Sequence, residues 1–315
     1  MAGKSQTQAY LLLRAIRPRQ WVKNLAVFAA LIFGGFLFQV PPLILSLTSF
    51  IVLCLVSSAA YLINDLIDLN SDRRHPFKKN RPLASGKLKK QAAYLAITIF
   101  WLGGLMLGHF ASAKLFWMAL LFSFLQFSYT LVFKNIPVVD ILVIAGAYIL
   151  RVYTGEVVLD YHLSVWLMIA IVSLSLFLSA GKRKSELSLL TDKKGRLTAR
   201  TRTSLIRYKG PLLDVYLSFF ATSTWIAYGF YTFSHQPVVT KVWPEKTLFW
   251  QNLLGERKWL MTSIPFVLYG LMRYLQLIYE HNQGEAPERL LFVDKSLLAT
   301  VIVWGITVIL AIYLV

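Results

Sequence analysis

Residues 64–72 read N-D-L-I-D-L-N-S-D, an asparagine and three aspartates at the end of an apolar segment, and Arg73, Arg74, Lys78, Lys79 and Arg81 follow within nine residues. On a helix, offsets of three and seven residues stack Asp65, Asp68 and Asp72 on one face, with Asn64 one turn before Asp68. Three stacked carboxylates repel one another, and the C-terminal end of a helix disfavours negative charge. Cations must therefore be near. The adjacent Arg and Lys side chains would serve as a plain solvated charge cluster. The alternative is Mg²⁺, which is held by one or two carboxylates together with substrate phosphates. Under that reading Asn64, Asp65, Asp68 and Asp72 are the metal ligands, and the three aspartates are the catalytic core. Arg73, Lys79 and Arg81 then neutralise and orient the phosphate oxygens that the metal leaves exposed.

A second polar stretch, "SAGKRKSEL" at 179–187, carries Lys182, Arg183, Lys184 and Glu186, with Asp192 isolated beyond it. It is basic where the first stretch is acidic, which suits phosphate groups more than a further metal. Arg151 and Glu156 fall in or near an apolar segment, where charge is costly unless it is paired or faces a polar cavity; a salt bridge between helices and phosphate binding are both open. Lys23 either anchors a helix at the interface or holds a phosphate, and Tyr129 and Lys134 are similar candidates. Arg273 and Asp294 flank "GEAPE", read as a lid or a turn. The five histidines show no ligand spacing, although His75 lies inside the first charged stretch. The single cysteine, Cys54, has no partner for an intramolecular disulfide.

These residues need a scaffold, and composition says which. The chain has 315 residues, is 57% hydrophobic and has a mean hydropathy of +0.57; it repeatedly runs about 20 residues with hardly a charge, the length of a bilayer-crossing helix. The expected fold is all-α and polytopic, with about nine spans centred on residues 24–40, 42–63, 91–110, 114–133, 137–158, 163–180, 211–233, 259–279 and 296–315. No cleavable leader pattern opens the chain, so the mature protein is expected to be the whole of it. The net charge of +18 follows topology: the N-terminus, the 64–90 loop, Lys134, the 181–209 loop and the segment after Arg273 are basic, and the alternate loops are nearly neutral. Basic loops stay in the cytoplasm, which puts the N-terminus inside and the C-terminus outside. Membrane topology thus accounts for most of the charge, and no nucleic-acid partner is expected. Trp243, Phe249 and Trp250 read as interfacial aromatics on the opposite side.

The motif N-D-x-x-D-x-x-x-D, followed closely by R-P and a glycine in a chain of about nine spans, resembles the UbiA superfamily of intramembrane prenyltransferases. The resemblance implies one helical bundle over residues 1–315 around a lipid-accessible cavity, with the site carried by cytoplasmic loops 64–90 and 181–209. It also implies that Asn64, Asp65, Asp68 and Asp72 bind Mg²⁺ and a diphosphate, with Arg81 beside them. Most members carry a second aspartate-rich motif after the sixth span, whereas this chain has "AGKRKSEL" there.

One branch of that superfamily, the decaprenyl-phosphate phosphoribosyltransferases, has such a loop. The stretches "RPRQWVKN" at 17–24, "NDLIDLNSDRRHPFKKNRPLASG" at 64–86, "ILRVYTGE" at 149–156, "AGKRKSEL" at 180–187 and "RYLQLIYEHNQGEAPERLLFVDKSLL" at 273–298 are similar to it. The resemblance implies transfer of 5-phosphoribose from phosphoribosyl diphosphate to a polyprenyl phosphate in a bacterial cytoplasmic membrane. Three anionic groups then need binding, and the base-rich set Lys23, Arg81, Lys134, Arg151, Lys182, Arg183 and Arg273, with Tyr129 and Glu186, suits them. Two other readings stand: a conventional prenyltransferase using a prenyl diphosphate, which the basic second loop disfavours, and a transporter or lipid carrier, which would favour charges near the midplane.

Overall fold

The computed structural model describes residues 7–74, 78–190, 207–208, 210–235, 258–281 and 287–313. Among them every regular element is helical. The chain runs through α1 (Gln8–Ala15), a 3-10 stretch (Pro18–Phe28) leading into α2 (Ala29–Phe33), α3 (Val40–Ile67), α4 (Leu69–Arg74), α5 (Lys90–Ala111), α6 (Ala113–Leu131), α7 (Val139–Leu159), α8 (Val165–Leu190), α9 (Gly210–Ser234), α10 (Ile264–His281), α11 (Pro287–Val293) and α12 (Lys295–Tyr313). Six of the described helices, α3, α5, α6, α7, α8 and α12, are long and apolar enough to cross a bilayer. Helices α9 and α10 add 25 and 18 residues. This is a multi-pass membrane protein.

Three sequence expectations need correction. The span placed at 24–40 is not one helix: Pro18 opens a 3-10 stretch, α2 follows, and the chain turns at Gly34 and Gly35, the latter in the left-handed region at φ 76°. An apolar window scores such a segment like a helix because hydropathy is blind to backbone geometry. Next, the 181–209 loop begins as helix, since α8 continues to Leu190. Lys, Arg and Glu are good helix formers, and Arg183 bridges to Glu186 one turn on. Finally, the loop placed at 64–90 opens as helix, since α3 runs to Ile67 and α4 to Arg74, so the aspartates stand on helix as their spacing implied and the irregular part begins later. His75, Asp192, Trp243, Phe249, Trp250 and the Gly284–Ala286 portion of the lid candidate lie outside the described residues.

Small residues let the backbones meet closely, as helix association in lipid requires. Ser57, Ser58, Ala59 and Ala60 are buried on α3, and a methyl on Gly104 of α5 would stand 3.0 Å from Val56. The tightest approach is Gly155 of α7, where a β-carbon would lie 2.1 Å from the Val27 carbonyl oxygen. Gly155→Ala should therefore push the 3-10 stretch off α7, at a cost of roughly 3 kcal/mol; a thermal melt in detergent unchanged from the parent chain would refute this close packing. Polar side chains inside the bundle satisfy themselves locally. Ser49, Ser58, Ser123, Thr154, Ser175 and Ser179 each donate to the carbonyl four residues back. Large apolar side chains point outward, among them Phe110, Trp117 and Val165 at 78%, 64% and 72% exposure. Hydrocarbon, not water, suits that face.

Candidate active site

At one end of the bundle the ends of α3, α6 and α8, the middle of α7 and the 3-10 stretch enclose a cavity of about 370 Å³. Its wall carries six basic side chains, Arg17, Lys23, Lys78, Arg81, Arg151 and Lys182, and one acid, Glu186. Asn64, Gln20, Tyr61, Gln126, Tyr129, Thr130 and Tyr148 add polar atoms, and Val143, Ile144 and Leu178 an apolar wall. Low-dielectric walls of one charge sign concentrate an anion. A larger cavity of about 420 Å³ on α5 and α6 is lined by Trp, Leu and Phe, with Ser123 and the indole N–H groups its polar content. It lacks charged groups for chemistry.

The aspartates sit beside the cationic cavity, each held by a base. Asp65, buried at 2% exposure, accepts from Arg17 at 2.5 Å and Arg81 at 3.0 Å through the same oxygen, Oδ1. Asp72 accepts from Arg81 at 2.5 Å. Asp68 pairs with Lys134 at 2.5 Å. The helix carrying them has one irregular residue: α3 ends at Ile67, Asp68 caps it at φ −83° and ψ 6°, and α4 restarts at Leu69, while four-residue backbone hydrogen bonds run through it from Asp68 to Asn64 and from Asp72 to Asp68. Arg81 gathers Asp65 and Asp72, whereas Lys134, on a different element, draws Asp68. The counter-charge demanded by acids at a helix C-terminus is supplied by Arg17, Arg81 and Lys134.

The remaining candidates separate into lining and supporting residues. Asn64, Lys23, Arg81, Tyr129, Arg151, Lys182 and Glu186 line the cavity. Arg151 is 3% exposed; its Nε donates to Asn24 Oδ1 at 2.7 Å, and its guanidinium lies 4.7 Å from the Phe122 ring centroid and 5.6 Å from that of Tyr148. Lys23 Nζ lies 5.8 Å from the centroid of the same Tyr148 ring. Glu156 does not bridge to Arg151; it accepts from the Leu163 backbone N–H at 3.1 Å. Lys79 is exposed and outside the lining, where Lys78 is found instead. Arg73 is exposed and donates to the Ala84 carbonyl at 3.3 Å. Arg273 bonds Asp294 at 2.7 Å and Gln276 at 2.7 Å, away from the cavity wall.

Arg183 is fully buried behind the wall. It donates to Tyr129 Oη at 2.7 Å and to Glu186 Oε2, and its Nε lies 2.8 Å from Asp140 Oδ2, an ion pair without hydrogen-bond alignment. Asp140 accepts in turn from Tyr208 at 2.7 Å. Burial, then that hydrogen bond, pushes the Tyr208 hydroxyl up, so it stays a neutral donor. Sequence reasoning missed Asp140 and Tyr208, which carry no spacing signal, and Arg17, which stood in the quoted "RPRQWVKN" stretch. Arg17 has a left-handed backbone at φ 56° immediately before Pro18, a conformation kept only where the surroundings over-determine it.

Among the described residues no group of three or more His, Cys, Asp or Glu side chains forms a metal cage. Asn64 and the aspartates nevertheless offer hard oxygen donors next to a cavity lined by cations, the donor type that suits Mg²⁺ shared with phosphates.

A membrane-embedded helical bundle with a cationic cavity flanked by an N-D-x-x-D-x-x-x-D segment defines an intramembrane transferase. Residues 25–295 match the UbiA prenyltransferase family, and the chain belongs to it. A decaprenyl-phosphate phosphoribosyltransferase of Mycolicibacterium smegmatis is 30% identical over 316 residues, covering 99% of this chain and 95% of the relative. The Corynebacterium glutamicum protein of that name is 30% identical over 96% of this chain and 87% of its own. A solved UbiA homolog from Archaeoglobus fulgidus bound to GPP and Mg²⁺ shares the fold, with a TM-score of 0.65 and 21% identity over 95% of this chain and 99% of that one.

Proposed function

We propose that this chain transfers 5-phosphoribose from phosphoribosyl diphosphate to a polyprenyl phosphate and releases diphosphate. The observation that carries the reading is the cavity wall, with six bases against one acid. A donor with a diphosphate and a separate 5-phosphate, met by a lipid phosphate, needs that many cations. The full-length likeness to decaprenyl-phosphate phosphoribosyltransferases supports the same reaction.

In this scheme Asn64, Asp65, Asp68 and Asp72 would hold Mg²⁺, which when bound supplies charge neutralisation for the leaving diphosphate. Arg17 and Arg81, already at the aspartates, reach phosphate oxygens on the cavity side. Lys23, Arg151 and Lys182 bind the other phosphates; Arg151 is held rigid by Asn24 and two aromatic faces. The acceptor phosphate oxygen is already anionic, so the protein has to orient it rather than deprotonate it. Val143, Ile144 and Leu178 offer the apolar surface its prenyl chain requires. The basic N-terminus and loops support an orientation with this end of the bundle at the cytoplasmic face, the N-terminus inside, and the kinship with bacterial relatives supports a bacterial inner membrane.

Purified protein given phosphoribosyl diphosphate labelled in the ribose, a polyprenyl phosphate and Mg²⁺ should place label in the lipid fraction. If no ribose label reaches lipid and a labelled prenyl diphosphate instead passes its prenyl group to an acceptor, the chain is a conventional prenyltransferase and the proposal falls.

A further inference from the structure

Glu186 poses a problem for a cavity built to bind phosphates. It is the one carboxylate in a wall of six bases, and a carboxylate repels phosphate. Its orientation is nonetheless fixed with care. Arg183, buried at 0% exposure, donates to Glu186 Oε2 and to Tyr129 Oη, and is itself held from behind by Asp140 and, through Asp140, by Tyr208. Glu186 and Tyr129 both line the cavity, while Arg183, Asp140 and Tyr208 do not. The buried chain thus sets two polar groups into the wall without meeting the ligand.

A carboxylate so placed attracts either a metal ion or neutral hydroxyl donors. A metal is disfavoured there: Arg183 already occupies Oε2, and Lys182 lines the same wall one turn earlier on α8, so a divalent cation would sit between two positive side chains. Hydroxyl groups carry no such penalty, and a carboxylate, with about four lone-pair sites, can accept from O–H donors while it keeps its cationic partners. Resting on the donor proposed above, we infer that Glu186 accepts hydrogen bonds from the vicinal hydroxyls of the ribose, and that Arg183, Asp140 and Tyr208 are its positioning residues. Acidic residues serve the same purpose for ribose in soluble nucleotide-binding folds. Glu186 is then the residue that makes this cavity select a pentose over an unfunctionalised prenyl chain.

The test compares kcat/KM for phosphoribosyl diphosphate with that for its 2-deoxy and 3-deoxy analogues, in the intact protein and in Glu186→Gln. A hydrogen bond to a charged group implies roughly 100-fold preference for the hydroxylated donor in the parent enzyme. In Glu186→Gln that preference should shrink to about threefold for at least one hydroxyl, because the ribosyl donor loses rate and the deoxy donor does not. Glu186→Asp keeps the charge and should retain part of the preference, which covers the case in which Glu186→Gln is poorly folded. An unchanged preference in both variants overturns the inference while leaving the phosphoribosyl reading standing. A Glu186→Gln protein with unchanged preference but a tenfold weaker Mg²⁺ dependence would make Glu186 a metal ligand and equally overturn it. No incorporation from phosphoribosyl diphosphate by the parent enzyme would sink both.

Discussion

Asp68→Asn and Asp72→Asn are each expected to lower Mg²⁺-dependent turnover by on the order of 10³-fold while leaving the protein folded and inserted. The scale follows from the several kcal/mol that a metal supplies to developing charge, at 1.36 kcal/mol per tenfold. The two substitutions act on different ion pairs. Asp68 pairs with Lys134, which is 8% exposed; the asparagine amide oxygen can still accept from that buried lysine, so the structural cost is about 2–3 kcal/mol. Asp72 shares Arg81 with Asp65, so Arg81 keeps one carboxylate after the change. Turnover measured against Mg²⁺ concentration, with a thermal melt of the same preparation, checks both halves. Full activity in both variants would end the metal assignment.

Asp140→Ala is expected to give the largest loss of stability, about 3–5 kcal/mol. The carboxylate is 0% exposed and faces the equally buried Arg183 at 2.8 Å, while Tyr208 donates to it at 2.7 Å. Its removal leaves a buried guanidinium uncompensated on that side and a phenol without its acceptor. Arg183 retains Glu186 and Tyr129, which limits the damage but pulls both from their set positions, so activity should fall as well. Replacing the pair together, as Asp140→Ala with Arg183→Met, should recover a good part of the lost stability without recovering activity, because the charge left stranded is gone. Melting temperatures of the single and double variants in one detergent decide this. A double variant less stable than either single one would contradict it.

Much of this protein was legible in the chain itself. Apolar runs of bilayer length determined an all-α membrane fold, because in lipid the backbone has to satisfy its own hydrogen bonds. The residues 64–72 announced the acidic segment, and the physics of helix ends required cations beside it. "AGKRKSEL" marked a second polar contribution from the other half of the chain, of which Lys182 and Glu186 reach the cavity. These signals are local, carried by composition and by spacing within one or two turns.

What the tertiary structure decided depends on residues far apart in the chain. Which base meets which acid could not be read from spacing: Lys134 reaches Asp68 across 66 residues and Arg17 reaches Asp65 across 48. Lys78 rather than Lys79 lines the cavity, and Arg183 lies behind its wall, because one residue's shift turns a side chain by roughly 120° on the 3-10 turn Lys78–Asn80 and roughly 100° on an α-helix. The straight helix assumed over 64–72 has an irregular residue at Asp68, in a stretch of Asp, Asn and Ser whose side chains compete with the helical backbone for hydrogen bonds. Hydropathy and periodicity report the face a segment offers to lipid or protein; ion pairs between helices are fixed only once the bundle has packed.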